Sequence, residues 1–324
     1  MLIKTTDDKS KDLQILQALA AHPAADANTH KQIAQEIRNI QSGIKGEAEA
    51  AYEIEFYYGA SKHWMVLHDL RLVCEGRVAQ IDHLLINRFL DIYVCESKRF
   101  AEGIAINEQG EFSAFYQSKP YGIPSPIEQN KRHMAVLRAV FKSGQVAPPK
   151  RLGITLSPTL NSLVLVSKNA RIARPKTKVD GLDCIIKNDQ LKTRIDREID
   201  ESNSAMLMLR VCSSETVEDF ARCLAAAHQP ASFNWQARFG LSPNSPQNVL
   251  PIATEPTATT PLAEPELMTQ VHVEVSVDRK SKLACVSCGT IVPYAVAKFC
   301  WSSKARFSGK VYCMVCQKAL LQPA

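Results

Sequence analysis

The stretch 80–98, QIDHLLINRFLDIYVCESK, leaves few choices of local fold. Two apolar runs of strand length flank Asn87-Arg88, so residues 80–86 and 91–98 read as the arms of one hairpin. Side chains two apart on a strand share a face, which sets Gln80 with Asp82 and Glu96 with Lys98. The plain reading of these charges is a surface ion-pair cluster. Their apolar context favours another: two carboxylates and an ammonium at neighbouring strand ends can hold a divalent cation beside a phosphodiester.

The flanking sequence supplies the rest of an α/β unit. Leu13, Leu16 and Leu19 have helical spacing within 11–21, and Pro23 stops that helix. A longer helix is expected over 29–57, with a break near Ser42-Gly43. Its second half carries Glu47, Glu49, Glu53 and Glu55, which read as a solvated face. Residues 64–70 form an apolar strand, and 71–77 a turn-bearing excursion. Residues 103–116 suggest a strand or hairpin turning at Gln109-Gly110. Pro120, Gly122, Pro124 and Pro126 punctuate a loop, after which a helix starts near Pro126 and sets Gln129 and His133 one turn apart. The run 161–168 has the continuous apolar character of a buried strand, and 181–187 is a shorter one. Between them Lys168, Arg171, Arg174, Lys176 and Lys178 make either a solvated basic loop or a phosphate-contacting one. A last amphipathic helix spans 215–228, with Thr216 and Asp219 as a capping pair and Pro230 as its stop.

From 241 to 278 the pattern disappears. Six prolines among Ser, Thr and Ala leave no apolar period with which to bury a core, so this is a linker between a domain over 1–240 and a module over 279–324. Charge changes with it: residues 239–278 carry −5, whereas 279–324 carry +8 with no acid. Such a basic module suits a polyanionic partner.

That module contains Cys285-x-x-Cys288 and Cys313-x-x-Cys316. Two such knuckles provide four thiolates, a closed tetrahedral set for structural Zn²⁺ with no open position for catalysis. Gly289 and a strand at Val311-Tyr312 would fit a ribbon, and so small a unit needs its metal to fold. Cys300 falls outside the set and reads as a packing residue or a free thiol. Phe299, Trp301, Phe307 and Tyr312 interleave with Lys298, Lys304, Arg306 and Lys310, either as a nucleic-acid face or as the ribbon's small core.

The order of motifs is more specific than any one of them. Gly43-x-x-Gly46-Glu47, then Gln80-Ile81-Asp82-His83, Glu96-x-Lys98, Gly103 and Pro126-x-x-Gln129 together resemble the nuclease-related domain called NERD, of the PD-(D/E)xK nuclease superfamily, over roughly 40–145. The resemblance implies a restriction-endonuclease-like core, a mixed sheet flanked by helices. It further implies that Asp82 and Glu96 hold Mg²⁺ or Mn²⁺, that Lys98 serves the attacking water or the phosphate, and that Gln80, Glu47 and Gln129 support them, Glu47 through water. Ser97 departs from the family, which favours an apolar residue there, and Cys95 precedes the motif. The cysteine module is similar to zinc ribbons of the topoisomerase type.

The implied function is metal-dependent hydrolysis of nucleic acid, DNA before RNA, with the zinc module assisting binding. The alternative is a catalytically silent nucleic-acid or protein-binding protein on the same fold. No apolar stretch approaches the length of a membrane span, and the first residues lack the order of a signal peptide, so a cytoplasmic protein with no membrane partner is expected. Single cysteines at 74, 95, 184, 212 and 223 in apolar surroundings fit a reducing compartment, and two CxxC pairs with no thioredoxin-like context fit metal binding better than redox chemistry.

Overall fold

The computed structural model describes residues 1–151, 153–201 and 211–241, and in the C-terminal part residues 285–288, 290, 292, 296, 297, 300, 307, 310–313, 316 and 317. The chain divides into two compact units, Met1–Glu266 and Leu267–Ala324. Apart from Leu241, the expected linker, and with it most of the expected aromatic-basic face, lies outside the described residues.

Six strands form the central sheet of the first unit. They are β1 (Leu2–Lys4), β2 (Trp64–Cys74), β3 (Arg77–Asn87), β4 (Asp91–Lys98), β10 (Thr159–Val166) and β12 (Ile185–Lys187), adjacent in that order. The β2–β3 and β3–β4 pairs are antiparallel, while β1 joins β2, β10 joins β4 and β12 joins β10 in parallel. The sheet is mixed, as expected.

Its strands are buried on both faces, which explains their near-continuous apolar runs. Val66, Leu85, Tyr93, Cys95, Leu163 and Leu165 pack under helix α2 (Ala27–Ile54) and helix α4 (Leu191–Glu201), through Ala50, Ile54, Leu191 and Ile195. Their alternates Leu67, Leu84, Ile86, Ile92 and Val94 pack under helix α3 (Pro126–Lys142) and helix α5 (Ser214–Ala226), through Leu137, Val140, Phe220 and Leu224. Full burial of each such side chain is worth about 1.5–3 kcal/mol. Asn130 of α3 satisfies the strands it covers, donating from Nδ2 to Val94 O and Ser162 Oγ at 2.8 Å each.

A smaller sheet, ordered β11-β5-β6-β7, comprises β5 (Gly103–Ile106), β6 (Phe112–Tyr116), β7 (Lys119–Ile123) and β11 (Arg171–Ala173). A short hairpin of β8 (Lys150–Arg151) and β9 (Ile154–Thr155) stands apart, and helix α1 (Ser10–Ala20) packs Leu16 and Leu19 against Ile33 of α2.

Several local expectations need correction. Helix α2 runs unbroken through Ser42-Gly43, because those residues are kept by the tertiary packing of a 28-residue helix, and it continues into a π-helical turn, Glu55–Gly59. The excursion at 71–77 is a longer hairpin: β2 extends to Cys74 and turns at Glu75 and Gly76, both with positive φ. The Pro120–Gly122 loop is edge strand β7, where a proline's missing N–H is tolerated. Residues 182–184 form a 3-10 turn before a three-residue strand. Ser213, not Thr216, caps α5 by accepting from Thr216 N at 3.0 Å. Cys223 is exposed, although the other four single cysteines are buried. In the second unit Val311 and Tyr312 are not in a strand; Val286 N donates to Val311 O, and the other described residues there are turn, helix or irregular.

Gly103 shows why a glycine follows the Glu-x-Lys motif. Its φ is +117°, and a Cβ there would come within 2.2 Å of Arg171 O on the neighbouring strand β11. Gly103→Ala therefore should lower stability by about 2–4 kcal/mol, through left-handed strain and a steric clash, as read by denaturant unfolding. Gly110→Ala is the comparison: its φ is also positive, but a Cβ there meets only a Val179 methyl at 3.4 Å, so it should cost less.

Candidate active site and metal centre

The site begins where β3 and β4 part. Their ladder ends at His83↔Cys95, so Asp82 and Glu96, the next pair in register, face one another across an opening. The Asp82 carboxylate bridges it, with Oδ2 accepting from both the backbone N–H and the hydroxyl of Ser97 at 2.8 Å each. β4 meanwhile stays paired to β10 as far as Lys98↔Val166, which holds Glu96 and Lys98 firmly. Ser97, where the resemblance implies an apolar residue, thus acts through its hydroxyl, which fixes Asp82.

Glu96 is only 2 % exposed. Its Oε1 lies 2.8 Å from Lys98 Nζ; its buried Oε2 makes no hydrogen bond among the described residues and stands 3.4 Å from His133 Nδ1 of α3. Burial raises the Glu96 pKa, and Lys98 only partly opposes it. For Lys98, burial favours the neutral amine, but Glu96 and Asp82 outweigh it and keep the ammonium.

Two further elements close over these groups. Helix α2 passes so near the end of β4 that a Cβ on Gly46 would lie 2.9 Å from Arg99 Cβ. That contact lowers the next residue, Glu47, into the cavity. Lys9, from the segment ahead of α1, meets Glu47 Oε1 and Oε2 at 3.2 and 3.0 Å and Asp69 Oδ2 at 3.9 Å. Asp69 interrupts β2 with φ +52° opposite Asp82 in the register, and its Oδ1 accepts from Gln80 Nε2.

Asp82, Glu96, Lys98, Gln80, Glu47 and Gln129 all line one cavity of about 440 Å³. The fold thus brings together all six residues that the sequence singles out. Glu49 instead accepts from Ser167 Oγ at 2.9 Å, Glu55 pairs with His68, and none of the basic residues at 168–178 lines the cavity. Asp69 and Lys9 also line the cavity, without a motif to announce them. Asp69 breaks the apolar run WMVLHDL much as Asp82 breaks QIDHLLI, a usable signal, whereas nothing around Lys9 marks it.

Crowded carboxylates shape the electrostatics. Burial first, then the charge on Glu96, raises Asp82 to about 7; burial first, then Asp82, raises Glu47 to about 7 against the pull of Lys9. Excess negative charge and an unsatisfied buried carboxylate oxygen suit a divalent cation. Mg²⁺ needs only one or two protein carboxylates, with water and phosphate oxygens completing its octahedron.

In the second unit the ligand atoms of Cys285, Cys288, Cys313 and Cys316 all lie within 4.8 Å of one another. Tetrahedral zinc with bonds of about 2.3 Å places its sulfurs about 3.8 Å apart, and Cys288 and Cys313 Sγ are 3.6 Å apart, so the donor set fits. Cys300 is not among them; it is a buried free thiol whose Sγ accepts from Tyr312 N at 3.4 Å. Phe307 is 2 % exposed with its ring centroid 5.8 Å from Tyr312, which puts this aromatic pair in the unit's small core.

Comparison with known proteins agrees with the first unit. A family model described as NERD, nuclease-related domain, matches residues 42–167. No curated protein and no solved structure matches the chain.

Two outcomes follow from this geometry. Because Asp82 and Glu47 bind protons more tightly folded than unfolded, the metal-free fold should lose stability as pH rises from about 4 through 7. Melting in chelator should show the midpoint falling over that range, and Asp82→Asn should flatten the fall and raise the midpoint at pH 8 by roughly 4 °C or more. For the second unit, elemental analysis should find one zinc per chain, lost in Cys285→Ser with Cys313→Ser.

Proposed function

We propose that the protein is a metal-dependent nuclease, with Asp82 and Glu96 as the ligands for Mg²⁺ or Mn²⁺. The observation that carries this reading is the convergence of two carboxylates, a buried lysine, a helix-borne glutamate and two glutamines on one cavity inside a nuclease-related domain. Its mixed α/β architecture is compatible with a restriction-endonuclease-like core.

A divalent cation bound there would supply Lewis acidity and a water nucleophile at neutral pH. The chain's own residues do the remainder. Ser97 holds Asp82 in one rotamer with both of its hydrogen bonds. Lys98 Nζ, tethered by Glu96, sets a fixed positive charge where a phosphorane-like oxygen gathers negative charge, an electrostatic contribution that grows in a site shielded from water. Gln80 is positioned by Asp69, so its amide is pre-oriented, and Glu47, with a pKa near neutrality, can take a proton from water. Gln129 extends the polar wall from the first turn of α3.

The four-cysteine unit fits structural zinc, and the charge of 279–324, +8 with neutral thiols and about +6 once four thiolates hold one zinc, supports a role in holding the polyanion. None of the ten cysteines is in a disulfide, which supports a cytoplasmic setting, and among the described residues no helix is long and apolar enough to cross a membrane.

Cleavage of labelled DNA and RNA in Mg²⁺ tests the assignment. Asp82→Ala and Glu96→Ala should each abolish turnover, and Lys98→Ala should lower it about 10²-fold with little change in substrate affinity, as for a group that acts in the transition state. Ca²⁺ should support binding with poor turnover. Wild-type rates in both carboxylate variants would place the activity elsewhere, and a wild type inert across metals and substrates would leave the silent binding protein.

A further inference from the structure

Two walls of the cavity come from outside the nuclease-related region. Residues 230–238, after α5, contribute Phe233, Trp235 and Arg238, and the segment ahead of α1 contributes Lys9. Trp235 is the anchor: it is 2 % exposed, packs on Leu16, Leu19 and Ile33, and donates from Nε1 to Asp12 Oδ1 at 2.8 Å. Phe233 stacks on it with ring centroids 4.9 Å apart and planes at 28°, yet stays 42 % exposed. The Arg238 guanidinium lies 5.2 Å from the Trp235 centroid and 3.1 Å from Glu36, and both Arg238 and Arg99 line the cavity. A rigidly backed, solvent-facing ring beside arginines and a candidate metal site is an arrangement suited to a nucleobase and its phosphates.

Size narrows the ligand. A volume of about 440 Å³ belongs with pockets for one small ligand, about 300–1,000 Å³. A base-paired duplex, whose major groove alone is about 12 Å wide, is far too large to enter. Resting on the nuclease reading, we propose that the cavity takes one unpaired nucleotide of a single-stranded nucleic acid, with its base stacked on Phe233 and its flanking phosphates met by Arg99 and Arg238. The elements outside residues 42–167 thereby select the single-stranded form of the substrate.

The test uses the full chain in Ca²⁺, with short single strands of DNA and of RNA carrying 2-aminopurine and with a blunt DNA hairpin. Stacking should quench the 2-aminopurine with either sugar or with one of them, and the hairpin should bind more weakly. Phe233→Ala should weaken single-strand binding about tenfold or more and abolish the quench, since one base–aromatic stack is worth about that factor. Phe233→Leu, which keeps apolar packing on Trp235, should behave as Phe233→Ala, and Phe233→Trp should restore binding. Unchanged single-strand affinity in both Phe233→Ala and Phe233→Leu, absence of quenching in the wild type, or equal or tighter binding of the hairpin overturns the proposal. Parallel cleavage in Mg²⁺ separates the two readings. Wild-type cleavage with binding indifferent to Phe233 rejects the stacking alone, whereas quenching that depends on Phe233 without cleavage by the wild type upholds stacking and rejects the nuclease.

Discussion

The parting of β3 and β4 after His83↔Cys95 is the constraint on which the site depends. A continued ladder would pair Asp82 with Glu96 directly and crowd two carboxylates on one face, an arrangement that costs energy in any sheet. Parting relieves that, and it leaves the Ser97 N–H without a strand partner. Asp82 supplies one, so the carboxylate substitutes for a missing backbone carbonyl. Local strand disruption and site formation are thus one event. The left-handed Asp69 on β2 extends it, since the ladder skips Asp69 and Asp82 while Gln80 is tied to Asp69.

Around that opening the fold invests stability in positions that do not add to it. Glu96 and Lys98 form a buried ion pair, whose desolvation offsets most of its attraction, and Asp82 and Glu47 are held where ionisation is unfavourable. The surrounding sheet, buried on both faces by four helices, supplies the compensation. Such unfavourable placement of titratable groups in a cavity is typical of sites built for chemistry.

Glu47 illustrates how packing makes a residue functional. On the helix it is one of four glutamates, and it lies in the cavity where Gly46 lets α2 approach Arg99 closely and Lys9 pairs with its carboxylate. A side chain at 46 would lift α2 from β4, and Glu47 with it. Lys9 then completes the arrangement from a segment 38 residues away, neutralising part of the charge that burial penalises.

Much of this was legible in the chain itself. Apolar runs interrupted by Asp82 and Glu96 marked the strands and their charges, Pro126 marked the start of α3, and paired CxxC spacing marked the metal cluster, because strand period, helix start and thiolate geometry are local properties. Where the helix broke, where β2 ended and which residue capped α5 were decided by neighbours in space: packing carried α2 through Gly43, antiparallel pairing with β3 drew β2 on to Cys74, and Ser213 reached the free N–H first. Asp69 and Lys9 joined the site for the same reason. Their partners lie 11 and 38 residues away, and only the folded chain sets Gln80 against the one and Glu47 against the other. Sequence determined which residues can bear charge in an apolar setting; tertiary structure decided which of those charges meet, since a buried charge takes its role from the groups that burial places beside it.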